Sequence, residues 1–464
     1  MLKFKKLTQE NIKKIQKYTV NSKYPLCDYS GGVIFTWYST YNPTFAIFDD
    51  TLILKFGEKN NERFMLPLGK NIEGALLEIE KYALEKETPL VFMCVSDDNL
   101  KILNDRFGEN IEYSFNRNFS DYIYDIEEMK IFSGKKFSGQ RNHINAFKKL
   151  YFDYKYKKIT KKDIPKIHAF LKEYDKQYPI KRKMEKKELE FTYKYLELLF
   201  KSNMFGGYIE YNGEVVSMAI GEYVGDMLVI HIEKALLKYR GAYPLTYNEF
   251  VKNNYKEGIL WVDRQDDSGD MGLRISKTQY KPVRLENKNY VTVKSAMPKI
   301  KKPKLIGEKV VLNAIKKSDA KTYYNLSVQK ANNKWWGYDY KKDNNSPQID
   351  YFYKMQKRDF SKLNGMSLAI RRKNSEKMIG EVVLYKFSYQ NTVEIGIRLF
   401  KRYQGKGFAS ESLNLVLFYI KNVLNLTPVM KCYKNNLSSK NLILKCGFTL
   451  VKEDNKFFYF EKQR

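Results

Sequence analysis

Between a strand-like run ending near Phe400 and a helix-like run starting near Gly407 lies Arg402-Tyr403-Gln404-Gly405-Lys406-Gly407-Phe408-Ala409. Glycines let backbone amides approach a ligand closely, and the N–H groups that open a helix attract a phosphate where the helix dipole is positive. The turn reads as a pyrophosphate site with Arg402 and Lys406 supplying charge; a plain tight turn shares the Gly-x-Gly pattern. A second glycine-punctuated basic stretch, residues 134–145 with Lys135, Lys136, Arg141 and His143, leads into a helix and suits either an anion or solvent. Cys27, Cys94, Cys432 and Cys446 are scattered without Cys-x-x-Cys spacing, and His143, His168 and His231 have no matched ligand set, so reduced thiols and no metal are expected.

These residues need elements to hold them. The 464 residues, 43% hydrophobic and 15% aromatic, are enough for two to four globular domains and argue against general disorder. No apolar h-region follows the first residues, and the longest apolar runs, such as 413–420, are too short to span a bilayer. A cytoplasmic protein is expected. Its net charge of +30 is uneven: residues 301–464 hold 33 Lys and Arg against 13 Asp and Glu. A basic third suits tRNA or another polyanion, a phosphorylated cofactor or peripheral contact with an anionic membrane; lysines spread over solvated faces would give the same count.

Pro298, Pro303 and repeated lysines mark residues 294–304 as a linker. Before it, helix and strand patterns alternate in two cycles. The first has helices at 11–18 and 72–85 with strands at 44–56 and 90–95. The second has helices at 162–174 and 187–201 with strands at 207–211, 215–223 and 227–233. After the linker, strands at 366–371, 378–387 and 392–400 lead through the glycine turn into a helix at 407–422. A strand at 429–433, a helix at 438–445 and strands at 448–451 and 457–461 follow. The fold class expected is α/β with mixed α+β sheets, divided as 1–130, 131–293, the linker and 305–464.

The glycine turn, with Asn436-Leu437-Ser438-Ser439 and Lys445-Cys446-Gly447-Phe448 downstream at matching spacing, resembles the GNAT N-acetyltransferase family, specifically its ribosomal-protein N-acetyltransferase-like branch. The resemblance covers residues 305–464 and implies acetyl-CoA as donor. The implied cofactor-binding residues are Leu399, Arg402, Gln404, Gly405, Lys406, Gly407, Phe408 and Ala409 for the pyrophosphate, and Asn436 for the pantetheine arm. The strand over 392–400 would splay from that over 429–433 and receive pantetheine between them. Glu394 is the implied general base, with Glu381 second, and Ser439 an assisting group. Many family members carry a tyrosine acid four residues after the position of Ser439, and here that residue is Ile443. Trp335, Trp336 and Tyr338, with Tyr340, precede the sheet where the branch builds its acceptor pocket; ordinary packing would also use them.

Upstream, His231-Ile232-Glu233, Tyr239-Arg240-Gly241, Asp263-Arg264-Gln265-Asp266 and Gly272-Leu273-Arg274 with Lys277 resemble the C-terminal domain of phosphatidylglycerol lysyltransferases, itself a tandem of GNAT-like modules. Three GNAT-like modules would then make up the chain. The resemblance implies a phosphate-type turn at Arg240-Gly241 and a cleft lined by Glu233, Arg264, Asp266 and Arg274. Internal ion pairs would use those same residues, and His231 fits a satisfied strand histidine better than a catalyst. The leading expectation is transfer of an acetyl group from acetyl-CoA to a primary amine of a small molecule or peptide. An aminoacyl-tRNA-dependent transfer through the N-terminal modules is the alternative, and a binding protein with inactive modules a third.

Overall fold

The computed structural model describes residues 2–58, 61–177 and 183–463. Two compact units emerge, one holding most of residues 1–292 and the other residues 293–464 with the short segments 83–90 and 104–112. Among the described residues the strands form three mixed sheets, so the expected α/β class with three GNAT-like sheets is observed.

One local plan recurs in each sheet. Antiparallel strands are followed by a helix, and the next strand rejoins the last one in parallel, a connection that needs a crossover of a dozen or more residues. In the first sheet, Thr44–Phe48, Thr51–Phe56 and Arg63–Phe64 lead to helix Ile72–Lys86 and then Leu90–Val95, which meets Arg63–Phe64 at Phe64 and Phe92. In the second, Phe205–Tyr211, Glu214–Val224 and Met227–Ala235 precede helix Ala242–Asn253 and strand Trp261–Asp263. In the third, Gly365–Arg372, Met378–Tyr385 and Thr392–Leu399 precede helix Phe408–Tyr419 and strand Thr427–Tyr433.

Alternation then decides which side chains face which layer. Val393, Ile395 and Leu399 enter a core completed by Leu413, Val416 and Leu417 of the following helix. Glu394, Gly396 and Arg398 therefore face the opposite side of the sheet.

Three expectations need correction. The single strand over 44–56 is a hairpin, because Asp49 and Asp50 both take positive φ, 44° and 52°, in a two-residue turn. Such turns usually announce themselves by Asn-Gly or Asp-Gly, and Asp-Asp hides this one. The division at 130/131 does not separate two sheets. Strand Asp121–Asp125 lies in the second sheet beside Trp261–Asp263, whereas Asn289–Val293 lies in the first beside Leu90–Val95. Residues 294–304 are no free linker, since Met297 is buried in the second unit's core, Ile300 packs against it, and Ala296 N donates to Phe387 O at 2.9 Å. Two apolar residues three apart anchor the segment despite its prolines and lysines. Met297→Asp should therefore cost the second unit roughly 3 kcal/mol in denaturant unfolding; an unchanged midpoint would restore the linker reading.

Candidate functional site

Strand Thr392–Leu399 pairs with Thr427–Tyr433 at only three positions, Thr392–Thr427, Val393–Pro428 and Glu394–Val429. Beyond Glu394 the two strands part, each keeping its outer partner, Met378–Tyr385 on one side and Phe457–Glu461 on the other. The expected splay is thus present, and it leaves two inward-facing backbone edges that an extended amide-bearing arm can pair with.

The glycine turn stands at the end of the splayed strand. Gly405 and Gly407 take φ of 74° and 82°, and helix Phe408–Tyr419 starts from Gly407 with no side chain capping it. The first helical bond runs from Glu411 N to Gly407 O at 3.1 Å, so the N–H groups of Phe408, Ala409 and Ser410 have no intrahelical acceptor. A Cβ built on Gly405 would meet nothing within 4 Å, and one on Gly407 only Lys309 Nζ, at 3.7 Å. The turn therefore opens onto free space beside a cation, which fits a pyrophosphate. Lys309 was invisible in the sequence because it lies almost a hundred residues upstream. Gln404 is a correction: its N–H donates to Lys401 O at 3.2 Å and its side chain to Leu399 O at 3.1 Å, so it shapes the turn instead of offering its amide. Leu399 likewise contributes its carbonyl to that bond while its side chain lies in the core. Arg402 and Lys406 are exposed, Arg402 over the Tyr403 ring.

Glu394 lies at the last paired position, buried, accepting from Tyr385 Oη and from Lys386 Nζ at 3.0 Å, with Lys431 Nζ at 3.4 Å. Burial pushes its carboxyl up, but the Tyr385 hydrogen bond and the two ammonium groups outweigh this and hold it below the usual range. Glu381 is not free to act as a base, because it is buried against Arg398 at 2.8 Å and accepts from Tyr323. Arg398 in turn lies 4.1 Å from the ring of Trp336, which also covers Gly396, while Trp335 packs on Tyr433 at 5.6 Å. The tandem tryptophans thus each rest on a different strand of the splay. Tyr338 turns its hydroxyl to Asp343, 2.6 Å away, and Tyr340 packs on Phe352. Asn436 caps helix Leu437–Lys445 by accepting from Ser439 N at 3.3 Å, and the Ser439 hydroxyl lies against the Cys432 thiol. Ile443 is fully buried, so no acid stands there.

In the first unit the same three-residue parallel pairing joins Met227–Ala235 to Trp261–Asp263. Here side chains bridge the parting strands: His231 Nδ1 meets Gln265 Nε2 at 2.9 Å, and Glu233 meets Arg264 at 2.8 Å with the guanidinium over Tyr247 and Tyr280. His231 Nε2 lies 2.9 Å from Glu222, so this histidine is satisfied on both sides. The turn at Gly241 also differs from that at Gly405. A Cβ there would come within 2.3 Å of His143 O, so the position for an anion is filled by a backbone carbonyl, and exposed Arg240 flanks a packing turn. Arg274 grips Asp267 through two bonds of 2.9 and 3.0 Å, and Asp266 caps its own turn at Ser268.

Residues 23–292, more than half of the chain, match the family described as phosphatidylglycerol lysyltransferase, C-terminal. The chain belongs to that family. Residues 309–449 match the acetyltransferase (GNAT) domain. Both matched families are thus described by group-transfer names. It is 27% identical to a conserved protein of unknown function from Bacteroides thetaiotaomicron, with a TM-score of 0.59 over 63% of this chain and all of that one. An uncharacterized protein of Mycoplasmoides gallisepticum is 25% identical over 35% of this chain and 53% of its own length. An uncharacterized N-acetyltransferase of Bacillus subtilis, YnaD, is 31% identical over 18% of this chain and 50% of its own. The chain thus spans about half the length of the curated relatives it matches.

Within the lysyltransferase-family unit lies a polar centre that the sequence did not reveal. Lys288 Nζ is 2.7 Å from Asp28, 2.8 Å from Asp121, 3.7 Å from Asp266 and 3.3 Å from Cys27 Sγ, all but Asp266 buried. Asp121 is pushed up to about 6 by burial, only partly offset by Lys288. Asp263, also buried and beside Asp121, is raised well above the carboxylate range. Asp28 is lowered, since Lys288 and donors from Tyr38 and Cys94 outweigh its burial. Carboxyls raised on folding lose stability as pH rises, beginning above the unfolded value of about 3.9 and complete above the folded one. Removing the ammonium in Lys288→Met takes away what holds Asp28 low and raises Asp121 further. The variant should therefore lose roughly 3–5 kcal/mol at pH 8 but clearly less at pH 5, where protonation replaces the missing charge. Equal losses in denaturant unfolding at both pH values would show that Lys288 is not their counter-ion.

Proposed function

We propose that the second unit transfers an acetyl group from acetyl-CoA to a primary amine. The observation that carries this is the glycine turn: an uncapped helix start with open space at Gly405 and Lys309 beside it, at the end of a strand that has parted from its neighbour. A GNAT fold implies an acyl-CoA donor, and the residues present fit one. The amides of Phe408, Ala409 and Ser410 would hold the pyrophosphate, with Lys309, Lys406 and Arg402 adding charge. The edges of residues 395–399 and 430–433 would take the pantetheine arm, and their N–H groups the thioester oxygen.

In the reaction, the amine nitrogen attacks the thioester carbonyl, the carbon–sulfur bond breaks, CoA leaves as thiolate, and the amine gives up a proton. Glu394 is the proposed acceptor of that proton. Its lowered carboxyl is a weak base, which bears on the acceptor. A lysine ε-amine costs about 4.6 kcal/mol to deprotonate at pH 7, an α-amine about 1.4. The site suits an amine titrating near 8 on a small molecule or peptide, admitted between Trp335 and Trp336.

A second reading concerns the first unit, whose corresponding splay is bridged by His231–Gln265 and Glu233–Arg264. An acyl donor there would not be held as pantetheine is, which favours an aminoacyl-tRNA over a thioester. Steep salt dependence of tRNA binding to the full chain would support it.

Calorimetric titration of acetyl-CoA into the full chain tests the first reading. Gly405→Glu should weaken binding at least about tenfold through charge and blockage, while leaving the unfolding midpoint near that of the parent. Unchanged affinity would remove the turn as the pyrophosphate site. With an accepted amine, log kcat in the parent should rise at one constant slope from pH 5 up to the amine's own titration, with no second bend between pH 5 and 6, because Glu394 is held below the usual carboxylate range. Turnover of Glu394→Gln equal to the parent with every accepted amine would remove it as the base.

A further inference from the structure

The strands that part beyond Glu394 carry more than a base between them. Alternation puts Val429, Lys431 and Tyr433 on the same side of the sheet as Glu394, since Val429 pairs with Glu394 while Met430 and Cys432 enter the core. The next strand sets Phe457 opposite Tyr433 and Tyr459 opposite Lys431. Trp335, 37% exposed, extends this row of rings. Its centroid lies 5.6 Å from that of Tyr433, which lies 4.6 Å from Phe457, and Phe457 is 6.2 Å from Tyr459.

Ammonium groups line the row. Lys334 Nζ is 4.7 Å from the Trp335 ring, and Lys456 Nζ is 5.5 Å from Tyr433 and 5.4 Å from Phe457. Both lysines are exposed, and among the described residues neither ammonium pairs with a carboxylate. The carboxylates of this face are engaged elsewhere. Glu394 already has Lys386 and Lys431 against its single charge. Asp454 accepts from Tyr459 Oη and from the amides of Lys456 and Phe457, each at 2.7 Å. Glu461 stands opposite Val429, at the far end of its strand from Phe457. The approach to Glu394 is therefore cationic, with rings for apolar contact.

We propose that the acceptor is an anionic amine, in which a carboxylate follows closely behind the primary amine, as in an acidic amino acid or a peptide with Asp or Glu behind its first residue. The amine goes toward Glu394, the intervening carbons lie on Trp335 and Tyr433, and the carboxylate meets Lys334 and Lys456. A carboxylate there gains attraction without breaking an existing pair, whereas a polyamine brings its remaining ammonium groups against the same lysines. The α-amine that a weak base can deprotonate at low cost also belongs to molecules whose anionic groups are carboxylates. The proposal rests on the acetyl-transfer reading and adds to it the charge of the molecule that carries the amine.

Steady-state acetylation by the full chain at saturating acetyl-CoA tests it, using peptides Ala-Xaa-Xaa-Phe in which both variable residues are Glu, Gln or Lys, with free glutamate and spermidine alongside. From the Glu to the Lys peptide kcat/KM should fall at least about tenfold, mainly through KM, and the gap should narrow with salt. Lys334→Glu/Lys456→Glu leaves Lys386 and Lys431 on Glu394, and should invert the order with an unchanged unfolding midpoint and unchanged acetyl-CoA titration. Glutamate preferred over the Glu peptide would assign the carboxylate to a small molecule, and the reverse order to a peptide. Equal kcat/KM across the three peptides, spermidine ahead of both acidic acceptors, or an unchanged order in the double variant would overturn the proposal while acetyl transfer stands. Absence of turnover with every acceptor would overturn it too, and acetyl-CoA binding in the calorimeter would then show that the donor site survives.

Discussion

The site of the second unit depends on how briefly two parallel strands stay paired. Three residue pairs hold Thr392–Leu399 to Thr427–Tyr433, and then the backbones separate. Unpaired edges are normally a liability that proteins cover. Here they lie inside a sheet whose outer partners are kept, so the gap is rigid and its N–H and C=O groups are pre-positioned. The same separation aims the end of Thr392–Leu399 into the glycine turn, and places Glu394 at the vertex with Gly396 and Arg398 along the open arm. Gly396 has no side chain because Trp336 lies over it, and Arg398 holds that ring through its buried bond to Glu381. Breaking that pair would strand a buried charge, so the tryptophan is fixed by the cost of losing its support.

The first unit shows what becomes of an identical separation when it is given different side chains. Strand Met227–Ala235 also leaves its parallel neighbour after three pairs. Glu233 and His231 then reach across it to Arg264 and Gln265, and three tyrosine rings enclose the guanidinium. The glycine turn that follows is closed by His143 O where the other is open. Shared topology therefore leaves one separation open and the other bridged. Family membership extends over this unit, whose side chains fill the gap that stays open in the other.

Periodicity made most of the architecture legible. Strands Leu90–Val95 and Phe457–Glu461 stand where alternation places them, and the crossover helices follow from spacing. The glycine turn was readable because its residues are consecutive and its shape is set by their own backbone. Residues that act from a distance were not readable. Lys309 reaches Gly407, and Lys288 reaches Asp28 and Asp121, only because strands far apart in sequence become neighbours. A lone lysine carries no periodic signal. Gln404 was legible as part of the turn but not as a clamp, since its bond to Leu399 O depends on how tightly residues 399–404 curl. Glu233, Arg264, Asp266 and Arg274 were read together as the lining of a cleft, but Glu233 pairs with Arg264 and Arg274 with Asp267, and such a pattern alone cannot separate a cleft from internal ion pairs.

The interior of the first unit also dictates its surface. Asp28, Asp121 and Asp263 are buried together and Asp267 is buried against Arg117 and Arg274, and a low-dielectric interior tolerates so many carboxyls only by importing cations or keeping protons. Lys288 supplies one cation, and Asp121 and Asp263 retain protons more readily than exposed carboxyls do. Asp267 is instead held ionised, well below the carboxylate range, by Arg274, Tyr122, the Gly269 amide and Arg117. Arg274 can reach it only if helix Met271–Thr278 turns its charged side inward, and Lys277 completes that side by binding the carbonyls of residues 264–266. Once the helix is oriented by these bonds, Met271 and Ile275 have nowhere to go but outward, and both are exposed. Their exposure is thus the geometric counterpart of a polar core, and any substitution that neutralised Asp267 would weaken the hold that keeps them there.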